Sequence, residues 1–165
     1  PEERATEGLL LDFPIWHNIS LASMDKMTKG PFLSKKKENK IVDEYIKLLQ
    51  IKAVSLQVAV TNLSGGNQQK VVLAKILATE PSLLLMHDIT RGIDVGTKKE
   101  VFSLVRKLAE KGNSIIYFST DVDELVNLCD RVVVMFDGKV GASFKGEQMK
   151  KENIVGAYIG ETMNC

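Results

Sequence analysis

Apolar residues recur at helical spacing through the first half of the chain and gather into short runs in the second. From Asn39 to Gln50, Ile41, Val42, Tyr45, Ile46, Leu48 and Leu49 share one face, with Asp43, Glu44 and Lys47 opposite; this predicts an amphipathic helix. Residues 17–34 show no such period and are expected to be loop-like or weakly helical, with a break at Gly30-Pro31. A further helix is predicted over about 65–79, apolar at Val71, Val72, Ala74 and Leu77 and ending before Pro81.

The pattern changes at Leu83. LLLM (83–86) is a continuous apolar run, expected of a strand buried on both faces. Thr97 and Glu100 form a capping-box pair before Val101, Leu104, Val105 and Leu108, and Gly112 closes that helix. SIIYF (114–118) reads as a second buried strand, and Asp121 and Glu124 open a short helix. RVVVMF, Asp137-Gly138 and KVGASF predict a hairpin with a type I′ turn, and a last helix is expected over 147–159. Strands alternating with helices imply right-handed crossovers and a parallel core sheet. The expected organisation is a mostly helical lobe over 1–80 and an α/β core part over 81–165.

With 165 residues, 44% of them hydrophobic, the chain has the length of one domain and enough apolar content for a core. Its 22 basic and 21 acidic residues leave a formal net charge of +1, so no global field points to nucleic acid. The charge run KKKENK (35–40) is expected to be solvated. No apolar stretch approaches the ~20 residues of a membrane span. The start, PEERATEG, does not read as a signal peptide. Cys129 and Cys165 lack metal spacing and fit a reduced cytosolic protein, Cys129 as a core residue.

The most informative string is NLSGGNQQK (62–70), at the start of the helix predicted over 65–79. Ser64 can cap free N–H groups of the first turn, and Gly65 and Gly66 leave those groups open to approach. Such a terminus is suited to an anion such as phosphate, although a Ser-capped helix start after a glycine turn has the same first letters. The complete string resembles the signature motif of ATP-binding cassette (ABC) ATPases, in the form found in carbohydrate importers. TRGIDVG (90–96) resembles the D-loop segment of those importers, and EGLLLDFPIWHNISLAS (7–23) is similar to the segment beyond their Q-loop. By order and spacing the likeness runs from about Pro1 to about Gly160, and it is greatest to the second cassette of tandem ribose-, galactose- and xylose-type uptake ATPases.

The resemblance implies an α/β fold: a truncated ABC-type, RecA-like parallel sheet core with a helical signature lobe. It also exposes departures. The phosphate loop GxxxxGK[ST] is absent, and the nearest stretch, GPFLSKKK (30–37), lacks the second glycine. In the family that loop and the Q-loop precede the region matched here, so the chain resembles the later part of a cassette. HDIT (87–90) stands where the family carries DEPT. His87 then occupies the place of the Walker B Asp that orients Mg²⁺, and Asp88 that of the catalytic Glu. Imidazole offers no anionic oxygen to Mg²⁺, and Asp withdraws the carboxylate by roughly 1–1.5 Å, a misplacement that can cost on the order of 100-fold in rate. A one-residue slip would give Asp88 the metal role and leave Ile89 at the catalytic position. Thr120 stands at the place of the switch His, where it keeps a hydroxyl but no cation; Ser119 and Asp121 also read as a strand end and an N-cap.

By resemblance, Ser64, Gly65, Gly66, Asn67 and Gln68 would meet ATP held by a facing cassette, and Asp94 would contribute from the D-loop; no metal ligand set is expected. ATP and Mg²⁺ belong to the complete assembly, and none is expected in the isolated chain. The implied partners are a facing cassette and a membrane permease, the latter reached through Phe13, Ile15 and Trp16 unless these are core residues. No nucleic acid is expected, the isolated chain is expected to dimerise, swap elements or aggregate through an uncovered sheet edge, and the implied location is cytoplasmic, against the inner face of the plasma membrane. A non-catalytic, scaffold-like cassette is the alternative. The ATPase head of a chromosome-maintenance or repair protein is another, disfavoured by NQQK, by TRGIDVG and by the absence of coiled-coil heptads.

Overall fold

The computed structural model describes residues 7–29 and 32–159. Gly30-Pro31 and Cys165 lie outside the described residues. The chain separates into two compact units, residues 1–116 and 117–165.

In the first unit, α1 (Ile15–Ser20) follows Pro14, which occupies the cap position with an extended ψ. Of the loop-like or weakly helical character expected here, the structure takes the helical alternative: proline pre-sets the entry, and Asn18 then secures the helix to the preceding loop. Asn18 is fully buried; its side-chain amide donates to the carbonyls of Leu10 and Pro14, and its Oδ1 accepts from the Leu10 N–H at 2.8 Å. A short pair of strands, β1 (Thr28–Lys29) and β2 (Phe32–Leu33), runs antiparallel. Helix α2 (Lys35–Leu49) begins earlier than its apolar period suggests, because the charge run is itself helical. Lys35 pairs with the buried Glu38 at 2.8 Å and lies over the Trp16 ring at 3.7 Å, while Lys37 donates to the Thr28 carbonyl. The run is therefore partly engaged by its neighbours.

Helix α3 (Gly65–Leu77) packs on α1 and α2. Ile15, Ile19, Met27, Val60 and Val71 are completely enclosed. At about 1.5–3 kcal/mol for each large apolar side chain removed from water, this cluster is the main stabilising feature of the helical segment. Tyr45 donates to the Leu77 carbonyl at 2.7 Å and so ties α2 to the end of α3.

Strand β3 (Leu83–His87) and β4 (Ser114–Phe118) form a two-stranded sheet, with α4 (Val95–Glu110) between them in sequence. Burial on both faces was expected, but only Leu84 and Met86 of β3 are buried; Leu83 and Leu85 face outward, as do Ile116 and Phe118 of β4. Helix α4 opens at Val95 with Asp94 as its cap, so Thr97 is an interior first-turn residue rather than the cap. The bond that satisfies the helix start comes from a residue three positions upstream.

In the second unit, α5 (Val122–Leu128) is capped by Asp121, and β5 (Arg131–Phe136) pairs antiparallel with β6 (Lys139–Lys145). Asp137 and Gly138 both have positive φ, as a type I′ turn requires. The third expected member of a parallel sheet is thus a hairpin strand, and the described sheets are all two-stranded. Helix α6 (Lys151–Tyr158) covers the hairpin: Val132, Val134, Ile154 and Ala157 form the core, with Leu125, Phe144 and Cys129 packed against it. Burial, and then the nearby Asp130 charge, push the Cys129 thiol up in pKa, in keeping with a core residue.

Candidate functional site

The signature residues form the first turn of α3. Ser64 is the N-cap; its Oγ accepts from the Asn67 N–H at 3.4 Å and from the Asn67 side-chain amide at 3.0 Å. Asn67 uses its carbonyl oxygen to accept from the Lys52 N–H at 2.9 Å, which anchors the turn to the chain beyond α2. Gln68 donates to the carbonyls of Val60 and Leu63, both at 3.3 Å. The amides of Asn67 and Gln68 are thus engaged within the turn, whereas no acceptor among the described residues meets the N–H of Gly65 or Gly66. Two helix-start amides facing no protein acceptor suit an anionic oxygen.

The two glycines differ in setting. Ser64 is exposed and Gly65 half-buried, but Gly66 is buried. The cause is Thr97 of α4, which lies directly over Gly66. One turn along, Lys70 is buried and pairs with Glu100; its ammonium also donates to the Gln50 carbonyl at 3.4 Å, where α2 ends in a left-handed residue. A cavity of about 110 Å³ lies beside this pair, lined by Gln50, Leu73, Ser103 and Lys107 among others; it is one turn further along α3 than the glycines.

The Walker B-like positions close β3. His87 is exposed, Asp88 is largely covered, and His87 Nε2 lies 3.9 Å from Asp88 Oδ2. Asp88 has φ of +44°, a left-handed conformation that Asp tolerates better than most residues, and its carbonyl accepts from the Arg91 N–H at 3.0 Å. Ile89 and Thr90 are buried behind it. Among the described residues no group of three or more His, Cys, Asp or Glu could hold a metal ion. One carboxylate beside an imidazole does not match the hard oxygen set Mg²⁺ takes, so these residues do not fit that ion.

Asp94 is exposed at the start of α4. Its Oδ1 accepts from the Thr97 N–H at 3.0 Å and its Oδ2 from the Thr97 hydroxyl at 2.7 Å. The hydroxyl bond, followed by the backbone bond, holds the Asp94 carboxyl below the usual carboxylate value.

Thr120 belongs to the second unit, just beyond β4. Beside it the structure reveals Glu124, a buried carboxylate that accepts from Tyr117 at 2.6 Å and from Ser119 at 2.8 Å. In the sequence Glu124 carried only a helix-start signal; its burial depends on Tyr117 and Ser119 turning back onto α5, which no local pattern announces. Ser119 also accepts from the Asp121 N–H, and Asp121 caps α5, so both residues have the structural roles that the sequence left open for them.

Comparison with known proteins gives three results. The sequence profile described as ABC transporter matches residues 6–91. Ribose import ATP-binding protein RbsA 1 of Rhizobium johnstonii is 46% identical over 159 residues, which is 96% of this chain and 31% of that protein. Ribose import ATP-binding protein RbsA of Bacillus cereus is 43% identical, over 96% of this chain and 32% of that protein. The chain therefore spans about a third of the length of these relatives. Among solved structures, a dimeric ATP-binding cassette in a post-hydrolysis state bound to ADP and Pi matches with a TM-score of 0.72 at 24% identity, covering 83% of this chain and 58% of that one. An ATP-binding cassette of an ABC transporter matches with a TM-score of 0.75 at 21% identity, covering 92% and 64%.

Proposed function

The chain belongs to the ABC transporter family, and from that premise we propose that it is part of the nucleotide-binding domain of a sugar importer. The observation that carries this reading is the intact Ser64–Gln68 turn, in which the Gly65 and Gly66 amides meet no acceptor among the described residues. In this role the turn closes over the phosphates of ATP held by a facing cassette, and Asp94 stands beside it at the start of α4. Sugar as cargo rests on relatives described by name as ribose import proteins. ATP and Mg²⁺ act in the complete assembly, bound chiefly by polypeptide beyond the positions matched here. The working location is the cytoplasmic face of the membrane, below a permease; no described helix is long and apolar enough to cross a membrane. Phe13, exposed and edge-on to His17 beside the stacked Trp16, supplies an aromatic surface for that permease, while Ile15 is core.

The outward-facing Leu83, Leu85, Ile116 and Phe118 support a sheet that is covered by further cassette polypeptide in the assembly. A second reading, a cassette that closes on an active partner without hydrolysing ATP itself, is favoured by the His87–Asp88 pair. Calorimetry with ATP and Mg²⁺, together with a phosphate-release assay, tests the isolated chain. Neither micromolar binding nor turnover is expected, and turnover abolished by Asp88→Ala would overturn the reading. In a transporter carrying this sequence in its cassette, Ser64→Arg should abolish transport while the facing cassette still binds nucleotide. Loss of that binding as well, or undiminished transport, would remove the proposed role of the turn.

A further inference from the structure

The glycine turn of α3 is held from its flank by α4. A Cβ built on Gly66 would lie 2.9 Å from Thr97 Oγ1, 3.0 Å from Thr97 Cγ2 and 3.3 Å from Thr97 Cβ. Optimal carbon contacts lie near 3.5–4.0 Å, so Thr97 already fills the space a side chain at position 66 would need. Thr97 is fixed in turn. It is β-branched, with few χ1 choices, and its hydroxyl and backbone N–H both donate to Asp94. One turn further along each helix, Lys70 meets Glu100. The two helices therefore touch at two successive levels, glycine against threonine and lysine against glutamate.

We propose that Asp94 and Thr97 are positioning residues for the signature turn: the Asp94 carboxylate sets the Thr97 rotamer, and Thr97 sets the place of Gly66 and its amide. Glycine at position 66 is then required by α4 as well as by any ligand. Asp94 acts on the turn through Thr97, without touching it. The consequence for nucleotide rests on the function proposed above, but the contact itself does not.

The test uses the full chain, isotopically labelled for NMR and free of nucleotide. Asp94→Asn keeps a good helix cap and an acceptor for the Thr97 N–H, but places an NH₂ group where Oδ2 accepted the hydroxyl. The Gly65 and Gly66 amide signals should move, and Thr97→Val, which keeps the shape and removes the hydroxyl, should move them the same way. Glycine signals that stay in place while the Thr97 signals shift would overturn the proposal. In a second arm, Gly66→Ala should lower the denaturation midpoint and Thr97→Ala in the same chain should recover at least half of that loss. A double variant no more stable than Gly66→Ala alone would also overturn it. Should Gly66→Ala not fold, the Asp94→Asn and Thr97→Val arm decides by itself. Neither arm contains nucleotide, so the contact can fail while the transport experiment succeeds, and the reverse.

Discussion

In the helical segment, Ile15, Ile19, Met27, Val60 and Val71 are fully enclosed by their own neighbours, whereas in the β3–β4 sheet Leu85 is 73% exposed and Ile116 60% exposed. Both regions are apolar in sequence, and only one of them closes. Helices α1, α2 and α3 present three surfaces to one another, so each apolar stripe finds a partner. Two strands offer one buried face and one open face, and no third strand joins them among the described residues. The helix that carries the signature turn is thus packed on its neighbours and flanked by α4, while β3 and β4 keep an apolar face open to solvent.

The sharpest way to break this comparison is truncation in each region. Ile19→Ala should cost about 2–5 kcal/mol in chemical denaturation, as cavity-forming substitutions in enclosed cores do. A loss below about 1 kcal/mol would mean that the helical segment is not the stabilising core. The next largest effect is expected at the cap. Ser64→Ala should lower stability by about 0.5–2 kcal/mol and loosen the first turn of α3, read by hydrogen exchange at Asn67 and Gln68. An unchanged exchange rate would show that the Asn67–Lys52 bond holds the turn unaided.

Leu85→Ser should alter stability by no more than about 0.5 kcal/mol, since its side chain already meets water. Its effect should appear in self-association: sedimentation velocity is expected to show a smaller associated fraction than the unaltered chain, because an exposed apolar strand recruits other strands. A large stability loss there would mean that the face is covered after all. The smallest effect is that of acid on Asp94. Its folded pKa is depressed by the Thr97 bonds, so its contribution is present above the unfolded carboxylate value and is lost as pH falls through the lower folded value. Carboxyl NMR titration should place Asp94 below the usual aspartate range; a titration at the ordinary value would show that the two Thr97 bonds do not persist in solution.

How much was legible varied with the range of the signal. The signature helix, its Ser64 cap and the Asp137-Gly138 turn could be read because each depends on residues within four positions of one another. The start of α4 was misplaced by the same kind of reasoning: Thr97 and Glu100 have capping-box spacing, but Asp94 had first claim on Thr97, and Glu100 is taken by Lys70 from another helix. The charge run at 35–40 is exposed as its composition suggests, except for the buried Glu38; only the contacts of Lys35 with Trp16 and of Lys37 with Thr28 were beyond the reach of a local pattern, because those partners are distant in sequence.

By itself the sequence determined the signature helix with its Ser64 cap, the alternation of strands and helices, and the hairpin. These follow from local propensity, from capping, and from chemical identity at a fixed spacing. Tertiary structure alone decided that Gly66 is buried under Thr97, that Lys70 is spent on Glu100 and the end of α2, that Glu124 is a buried carboxylate, and that one face of β3 and β4 is open. Each of these requires two segments to meet across intervening chain, and a linear pattern records which residues seek burial without recording which surface will cover them.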